Sequence, residues 1–275
     1  MMRMSQSPGR AQDVLPFDLT DRGLLLADGV FDTARVVNGR IILRAAHEQR
    51  LLADAAALGI VVQRDAVRAL ADEAVPAGGN GALRLTLTRG PGARGLAGDG
   101  ADVPTLIARF TAMDAPFPMP AVRLGTSDIR RNPTSPSVQH KTLSYTDNVI
   151  ALRRAAAAGY DDALLLSVSG NVACASAANL FACFGDRLVT PPRRDGAMPG
   201  ILRGWLLSEA GKAGFVVSEE SISPERLVEA DGVFLTNSLR VFQPVSAIDG
   251  RTLNSQLPAS LLELGRELLT GASDD

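Results

Sequence analysis

The chain has 275 residues, 46% of them hydrophobic and 21% charged, which suits a folded protein with a sizeable core and excludes a disordered one. Its net charge of −2 gives no electrostatic footprint for nucleic acid or an anionic membrane as partner, and no apolar run reaches the ~18 residues that cross a bilayer. Two cysteines, Cys174 and Cys183, make neither a disulfide framework nor a paired metal motif, so no metal is expected and a reducing, cytoplasmic location is.

Residues 1–12 are polar, lack the apolar core of a signal peptide, and read as a short disordered tail. Gly29–Phe31 and Ala34–Val37 predict strands, and Asn38-Gly39 predicts a tight hairpin into Ile41–Leu43. His47–Leu58 reads as a helix with Leu51, Leu52, Ala55 and Leu58 on one stripe, and Arg64–Val75 as a second. Strands follow at Ala82–Thr88 and Thr105–Thr111, with the Gly-rich loop 89–95 between them. Three prolines within residues 114–120 exclude a regular helix or central strand there, so this segment is the expected linker between a domain over 1–113 and one over 121–275. In the second half, helices are predicted at Thr146–Ala158, Ile201–Ala213 and Leu261–Leu269. Strands are predicted at Asp162–Val168, Asn179–Phe184 and Gly232–Thr236. The class is α+β in two lobes, and clefts between lobes are common ligand sites.

The basic residues are lopsided: of 28 lysines and arginines, only Lys141 and Lys212 are lysines. Chemistry that needs an amine therefore has two side-chain candidates, and a lysine forms a Schiff base when burial or nearby positive charge keeps it neutral. Lys141 lies in His-Lys-Thr-Leu-Ser-Tyr-Thr-Asp-Asn148, just ahead of a long helix, whereas Lys212 lies on the polar side of its helix. Gly196-Ala-Met-Pro-Gly200 runs straight into the helix from Ile201, and the free N–H groups of a helix start attract an anion. Thr236-Asn-Ser-Leu239, at a strand end, and Arg50 are further phosphate candidates. Taken singly, each is equally an ordinary surface lysine, turn or solvated helix face.

Taken in order, these segments resemble the class IV, fold-type IV, pyridoxal-5′-phosphate (PLP) aminotransferases. Asp28-Gly-Val-Phe-Asp-Thr-Ala-Arg35 is similar to the family's "DGxFExxR" strand, and His47-x-x-Arg50-Leu51 to its "HxxRL" helix. Lys141 to Asn148 resembles the cofactor-lysine segment. Gly170 to Phe181 resembles "GxVxExxxxNxF", and Leu188 to Pro192 "LxTPP". Gly200-Ile201, completed by Arg203, resembles "GIxR", and Thr236–Leu239 the second phosphate loop. The family comprises branched-chain and D-amino-acid aminotransferases, (R)-amine transaminases and 4-amino-4-deoxychorismate lyases.

The resemblance implies a two-domain, D-amino-acid aminotransferase-like fold with PLP between the lobes, in a homodimer acting on amino acids and keto acids. It implies that Lys141 is the catalytic residue, joined to the cofactor as an aldimine and shuttling the Cα proton. It implies that Arg50, Ile201, Leu202 and Ser238 grip the phosphate, with Asn179 and Leu239 also against the cofactor. Phe31 and the arginines Arg35, Arg84, Arg89 and Arg94 are the substrate-side candidates, because a guanidinium grips a carboxylate by two parallel hydrogen bonds. Arg35, Arg89 and Arg94 are equally readable as ordinary loop or strand-edge charges.

Cys174 departs from the pattern. It stands where the family places a glutamate against the pyridine nitrogen of PLP, so either another acid supplies that charge or the ring works with an unprotonated nitrogen. Asp32 shortens the family's glutamate, and Leu202 replaces a frequent threonine. The leading reading is an aminotransferase for a small amino acid and a 2-keto acid. Behind it stand a 4-amino-4-deoxychorismate lyase, which expels pyruvate to leave 4-aminobenzoate, and a catalytically silent PLP-binding protein.

Overall fold

The computed structural model describes residues 2–6, 17–98, 100–101 and 103–271, the first five by backbone alone. Two units divide the chain: Met1–Asp114 with His140–Ser144, and Ala115–Gln139 with Tyr145–Asp275. The short segment carrying Lys141, expected in the C-terminal domain, therefore belongs with the first unit.

Unit 1 contains β1 (Met2–Gln6), α1 (Arg22–Leu26), β2 (Gly29–Val37), β3 (Arg40–Ile41), α2 (Arg44–Ala57), α3 (Arg64–Ala74), β4 (Gly81–Thr88) and β5 (Thr105–Ala112). The strands form one sheet in the order β1-β5-β4-β2-β3. Alternation sets its two faces. Val30, Val36, Leu83, Leu85, Leu87, Leu106, Ala108 and Phe110 point to one side, where they pack with Leu51 and Ala55 of α2 and Val67, Leu70 and Ala74 of α3. The two expected strand pieces around residue 32 are one strand, and the turn after it has positive φ at both Asn38 and Gly39. That backbone matches the right-handed strand twist, and it is why Asn-Gly occupies it. Residues 2–6 pair in parallel with β5, from Met2 opposite Thr105 to Gln6 opposite Arg109, where a disordered tail was expected. An edge strand such as β5 presents unpaired backbone groups, and a proline-free segment can complete them. Residues 7–12 of the expected tail lie outside the described residues.

Unit 2 contains β6 (Val122–Arg131), α4 (Pro136–Gln139), α5 (Thr146–Ala157), β7 (Asp162–Ser167), β8 (Val172–Ala175), β9 (Asn179–Phe184), β10 (Arg187–Thr190), α6 (Ile201–Glu209), β11 (Val216–Glu219), α7 (Pro224–Leu227), β12 (Gly232–Thr236), β13 (Gln243–Ile248), β14 (Arg251–Thr252) and α8 (Ala259–Thr270). Its sheet runs β11-β10-β9-β12-β13-β6-β7-β8, with β14 on β13. β6 was not expected from the sequence: its pairing slips between Thr126 and Arg130, which breaks the alternation that would have revealed it. β8 was not expected from the sequence either, and its four residues are all buried. The helix expected to Ala213 ends at Glu209 and continues as a 3-10 turn over Ala210–Ala213. Phe181 stacks on Phe234 at 5.4 Å, and Phe234 meets Phe242 edge-on at 5.4 Å, filling the core below β9 and β12.

Candidate active site

In unit 1 the site starts from β2. On the core side, Asp32 is 2% exposed and places one carboxylate oxygen 2.5 Å from Nδ1 of His47 and the other 2.8 Å from Nη2 of Arg50, which also donates from Nε at 2.9 Å. Burial pushes the Asp32 carboxyl up, but His47 and Arg50 outweigh burial and hold it below its ordinary value. Arg50, expected to grip a phosphate, is thus clamped by a buried carboxylate.

On the opposite side of β2 the chain returns with Lys141. Phe31 donates its backbone N–H to the Lys141 carbonyl at 2.9 Å, Leu143 donates to Gly29 at 2.9 Å, and Thr142 pairs with Val30. Residues 141–143 therefore run as a short strand beside β2. Asp54 of α2 fastens the same segment: one oxygen is 2.8 Å from Nδ1 of His140 and the other accepts from the Lys141 N–H at 3.1 Å. The Lys141 ammonium then lies 4.3 Å from the centre of the Phe31 ring, and the Arg84 guanidinium 3.9 Å from it. The fold thus brings Lys141, Phe31 and Arg84 together. Arg35 projects from the same face of β2 and is half-buried; burial draws its pKa down, against the opposing pull of Asp114.

Arg89 and Arg94 sit elsewhere. Arg89 donates to Asp28 at 2.8 Å and to the carbonyls of Leu58 at 2.5 Å and Gly59 at 3.2 Å, so its donors hold the backbone rather than face a substrate. Arg22 shares Asp28 at 2.9 Å and secures the loop through the carbonyls of Gly95 and Leu96. Arg94 is exposed in that loop.

In unit 2 the nine-residue helix α6 begins at Ile201 with no side-chain cap, so its first N–H groups are available to an anion. Asn179 donates to the Met198 carbonyl at 2.8 Å and packs so tightly on Gly200 that a Cβ there would lie 2.0 Å from its Oδ1. The lead-in to α6 is therefore fixed by Asn179, and Ile201 and Leu202 are buried behind it. Among the described residues the hydroxyls of Thr236 and Ser176 are buried with no hydrogen-bond partner, which marks both as places for a further polar group. Ser238 and Leu239 lie half-buried in the turn after β12, where Asn237 accepts from the Leu239 N–H at 3.1 Å. Cys174 is buried against Ala151, Ala155, Ala163 and Leu165. Burial raises its thiol pKa, Arg131 opposing and Asp162 adding, so the side chain is a neutral thiol.

Sequence reasoning missed a second buried network. Arg131 donates to Asn148 at 3.3 Å and to the Val138 carbonyl at 3.5 Å, and Asn148 donates to the Ser176 carbonyl at 2.5 Å. Asp162 accepts from Arg240 at 3.2 Å. Asp54 was missed as well. Asn148 closes the segment that begins at Lys141, but its contacts carried no local signal, because Asn148 meets residues 17 and 28 positions away, Asp162 one 78 away and Asp54 one 87 away. Among the described residues, no group of three or more His, Cys, Asp or Glu side chains is arranged to hold a metal ion, and no helix is long and apolar enough to cross a membrane.

A sequence profile of the amino-transferase class IV family matches residues 29–248, a span that includes Asp32, Arg50, Lys141 and the start of α6. The chain belongs to the class IV aminotransferases. Within the family it is 31% identical over 251 residues to a protein of Methanocaldococcus jannaschii provisionally named a branched-chain-amino-acid aminotransferase, covering 86% of this chain and 84% of that one. A Legionella pneumophila structure provisionally named 4-amino-4-deoxychorismate lyase superposes with a TM-score of 0.83 at 30% identity, over 98% of this chain and 99% of that one. The PLP-bound form of a hypothetical aminotransferase from Mycobacterium tuberculosis gives 0.81 at 26% identity, over 95% and 96%. The α+β fold of this class IV aminotransferase is thus that of the fold-type IV enzymes.

Proposed function

We propose that this class IV aminotransferase uses PLP to move an amino group between a small amino acid and a 2-keto acid, with Lys141 as the catalytic amine. The observation that carries the reading is the placement of Lys141: backbone pairing to β2 and the Asp54 carboxylate fix its segment, and its ammonium lies beside Phe31 and Arg84. The amine that would hold an aldehyde therefore stands next to a guanidinium able to grip a carboxylate.

The residues present fit the cofactor. In unit 2 the uncapped start of α6 and the buried Thr236 hydroxyl suit a phosphate, with Ile201 and Leu202 offering N–H groups and Ser238 in the turn after β12. PLP, when bound, supplies an electron sink that stabilises negative charge at the substrate Cα. Arg84 orients the substrate through its carboxylate, and Arg35 adds positive charge on the same face. Lys141 would take the proton from the substrate Cα and later return it. Phe31 packs its ring against the lysine amine. Cys174 offers only a neutral thiol to a pyridine nitrogen, a weaker partner for a protonated ring than a carboxylate.

The second reading, a pyruvate-expelling lyase, shares the proton removal by Lys141 and diverges afterwards. It is favoured by the near-complete overlap with the Legionella structure. A homodimer is supported by the exposed leucines Leu24, Leu25 and Leu26 of α1 together with Leu96. The reducing cytoplasm is supported by the two free cysteines.

The test is borohydride reduction of the PLP-loaded protein followed by peptide mapping. The expected adduct is on Lys141, and an adduct on Lys212 or none at all overturns the reading. Incubation with either alanine enantiomer and 2-oxoglutarate should release pyruvate and glutamate. Release of 4-aminobenzoate from aminodeoxychorismate, without transamination, would instead select the lyase.

A further inference from the structure

We propose that this chain holds the ring nitrogen of PLP unprotonated, because position 174 presents a thiol beside the buried Arg131 guanidinium and no free carboxylate. The proposal deepens the PLP reading given above and rests on it.

The charges around Cys174 carry the argument. Cys174 lies on β8 opposite Leu165 of β7, and Arg131 lies on β6 opposite Ser167 of the same strand. One strand separates the two backbones, and the Arg131 side chain runs inward. It is 8% exposed, and a Cβ on Gly196 would lie only 2.8 Å from its own Cβ, so its stem is pinned. Its guanidinium reaches Asn148 and the Val138 carbonyl, both through long bonds. Asn148 in turn bonds the carbonyl of Ser176, two residues past Cys174. Among the described residues Arg131 forms no ion pair with a carboxylate, and its Nε is buried with no acceptor. A buried guanidinium without a countercharge leaves a positive field that the interior screens poorly.

Two buried acids flank this network, and neither reverses its sign. Asp162 accepts from the Ala163 and Ser176 N–H groups at 2.7 and 3.3 Å through one oxygen and from Arg240 at 3.2 Å through the other. Its charge is therefore already matched. Asp195, next to Gly196, accepts from Asn171 at 3.4 Å and makes no ion pair with Arg131. The side of α5 that packs here carries Asn148, Ala151 and Ala155, none of which titrates. After burial, Arg131 is the stronger influence on the Cys174 thiol and Asp162 the weaker. A ring nitrogen set against Cys174 thus meets a weak neutral donor in a positive field, and both disfavour a proton on it. An unprotonated ring draws charge from the substrate Cα less strongly than a pyridinium does, so removal of the Cα proton governs more of the turnover.

The experiment loads the full chain with PLP carrying an isotopically labelled ring nitrogen and reads that nitrogen by magnetic resonance at pH 7. The expected signal is the downfield one of an unprotonated pyridine; the upfield signal of a pyridinium overturns the proposal. Cys174→Glu should move the signal upfield, and an unmoved signal also overturns it, because position 174 would then not face the nitrogen. A second arm reads thermal unfolding of the full chain before PLP is added. Against Cys174→Gln as the control for size, Cys174→Glu should raise the unfolding midpoint by supplying Arg131 with a countercharge. In an Arg131→Met background the same change should lower it, because the buried carboxylate then lacks a cation. Equal shifts in the two backgrounds would remove Arg131 as the source of the field, and the proposal with it. Failure of the parent reading is a separate result. Reduction that leaves no adduct on Lys141 removes both readings, whereas a Lys141 adduct with a pyridinium signal removes this one alone.

Discussion

Replacing Asp32 by asparagine tests whether the buried carboxylate clamps Arg50, as the geometry requires. The substitution keeps the side-chain shape and removes one charge, yet it leaves His47 and Arg50 facing an amide whose nitrogen can only donate. Removing one partner of a buried ion pair costs about 3–5 kcal/mol. The Arg50 side chain keeps 11% of its surface in water, so the lower end, about 3 kcal/mol, is the expected loss. At ~1.4 kcal/mol per decade that is roughly a hundredfold shift in local opening. Trp205, the chain's one tryptophan, belongs to unit 2, so fluorescence would miss the event. Amide hydrogen exchange across β2 and α2 reads it directly, and protection there should fall by about two orders of magnitude while β9 and β12 stay as they were. The pH arm has a definite sign. A carboxyl held below its ordinary value contributes in full above its unfolded value of about 3.9 and loses that contribution as pH falls through the folded one. The difference between native and Asp32→Asn chains should therefore be full at pH 7 and narrow below about pH 4. Protection unchanged at pH 7, or a difference that widens in acid, would refute the clamp.

Two further substitutions or probes bear on unit 2. Gly200→Ala sets a Cβ 2.0 Å from the Asn179 oxygen, an overpacking that costs about 1–3 kcal/mol. It should weaken PLP retention more than tenfold in equilibrium dialysis with the far-ultraviolet circular dichroism preserved; retained affinity would remove the start of α6 as the phosphate seat. Burial pushes the Cys183 thiol up to about 12, with Asp231 adding, and it raises Cys174 too. Neither thiol should react with Ellman's reagent in the native chain at pH 8, and both should react in urea; a fast native reaction would contradict the burial of β8 and β9.

The parts of the fold legible in the sequence are those in which a local rule and the tertiary demand agree. β2, β4 and β5 alternate because one side of their sheet packs on helices, and Asn38-Gly39 sits where the twist requires positive φ at both residues. β6 was hidden by its slipped register. β8 was hidden because Val172, Ala173, Cys174 and Ala175 are buried alike and so show no period. Lys141 stood out because lysine is so scarce, but its anchors did not. Asp54 lies 87 positions earlier, and nothing near it announces that its second oxygen will take the Lys141 N–H.

The arginines show the same limit more sharply. Arg84 and Arg89 are five residues apart and both looked fit to grip a carboxylate. Arg84 lies within β4, where alternation turns it to the open face. Arg89 lies one residue past the strand, where its donors close on Asp28 and the end of α2. Composition supplies a surplus of guanidinium groups, and register decides which of them can meet an anion. Arg109 shows no motif, and only when β5 is laid against β4 does it stand opposite Arg84. In this chain, then, which side chains share the open face is set by cross-strand position more than by residue type, and a shift of β5 by a single residue would turn Arg109 into the core and replace it on the open face by an apolar neighbour, Ala108 or Phe110.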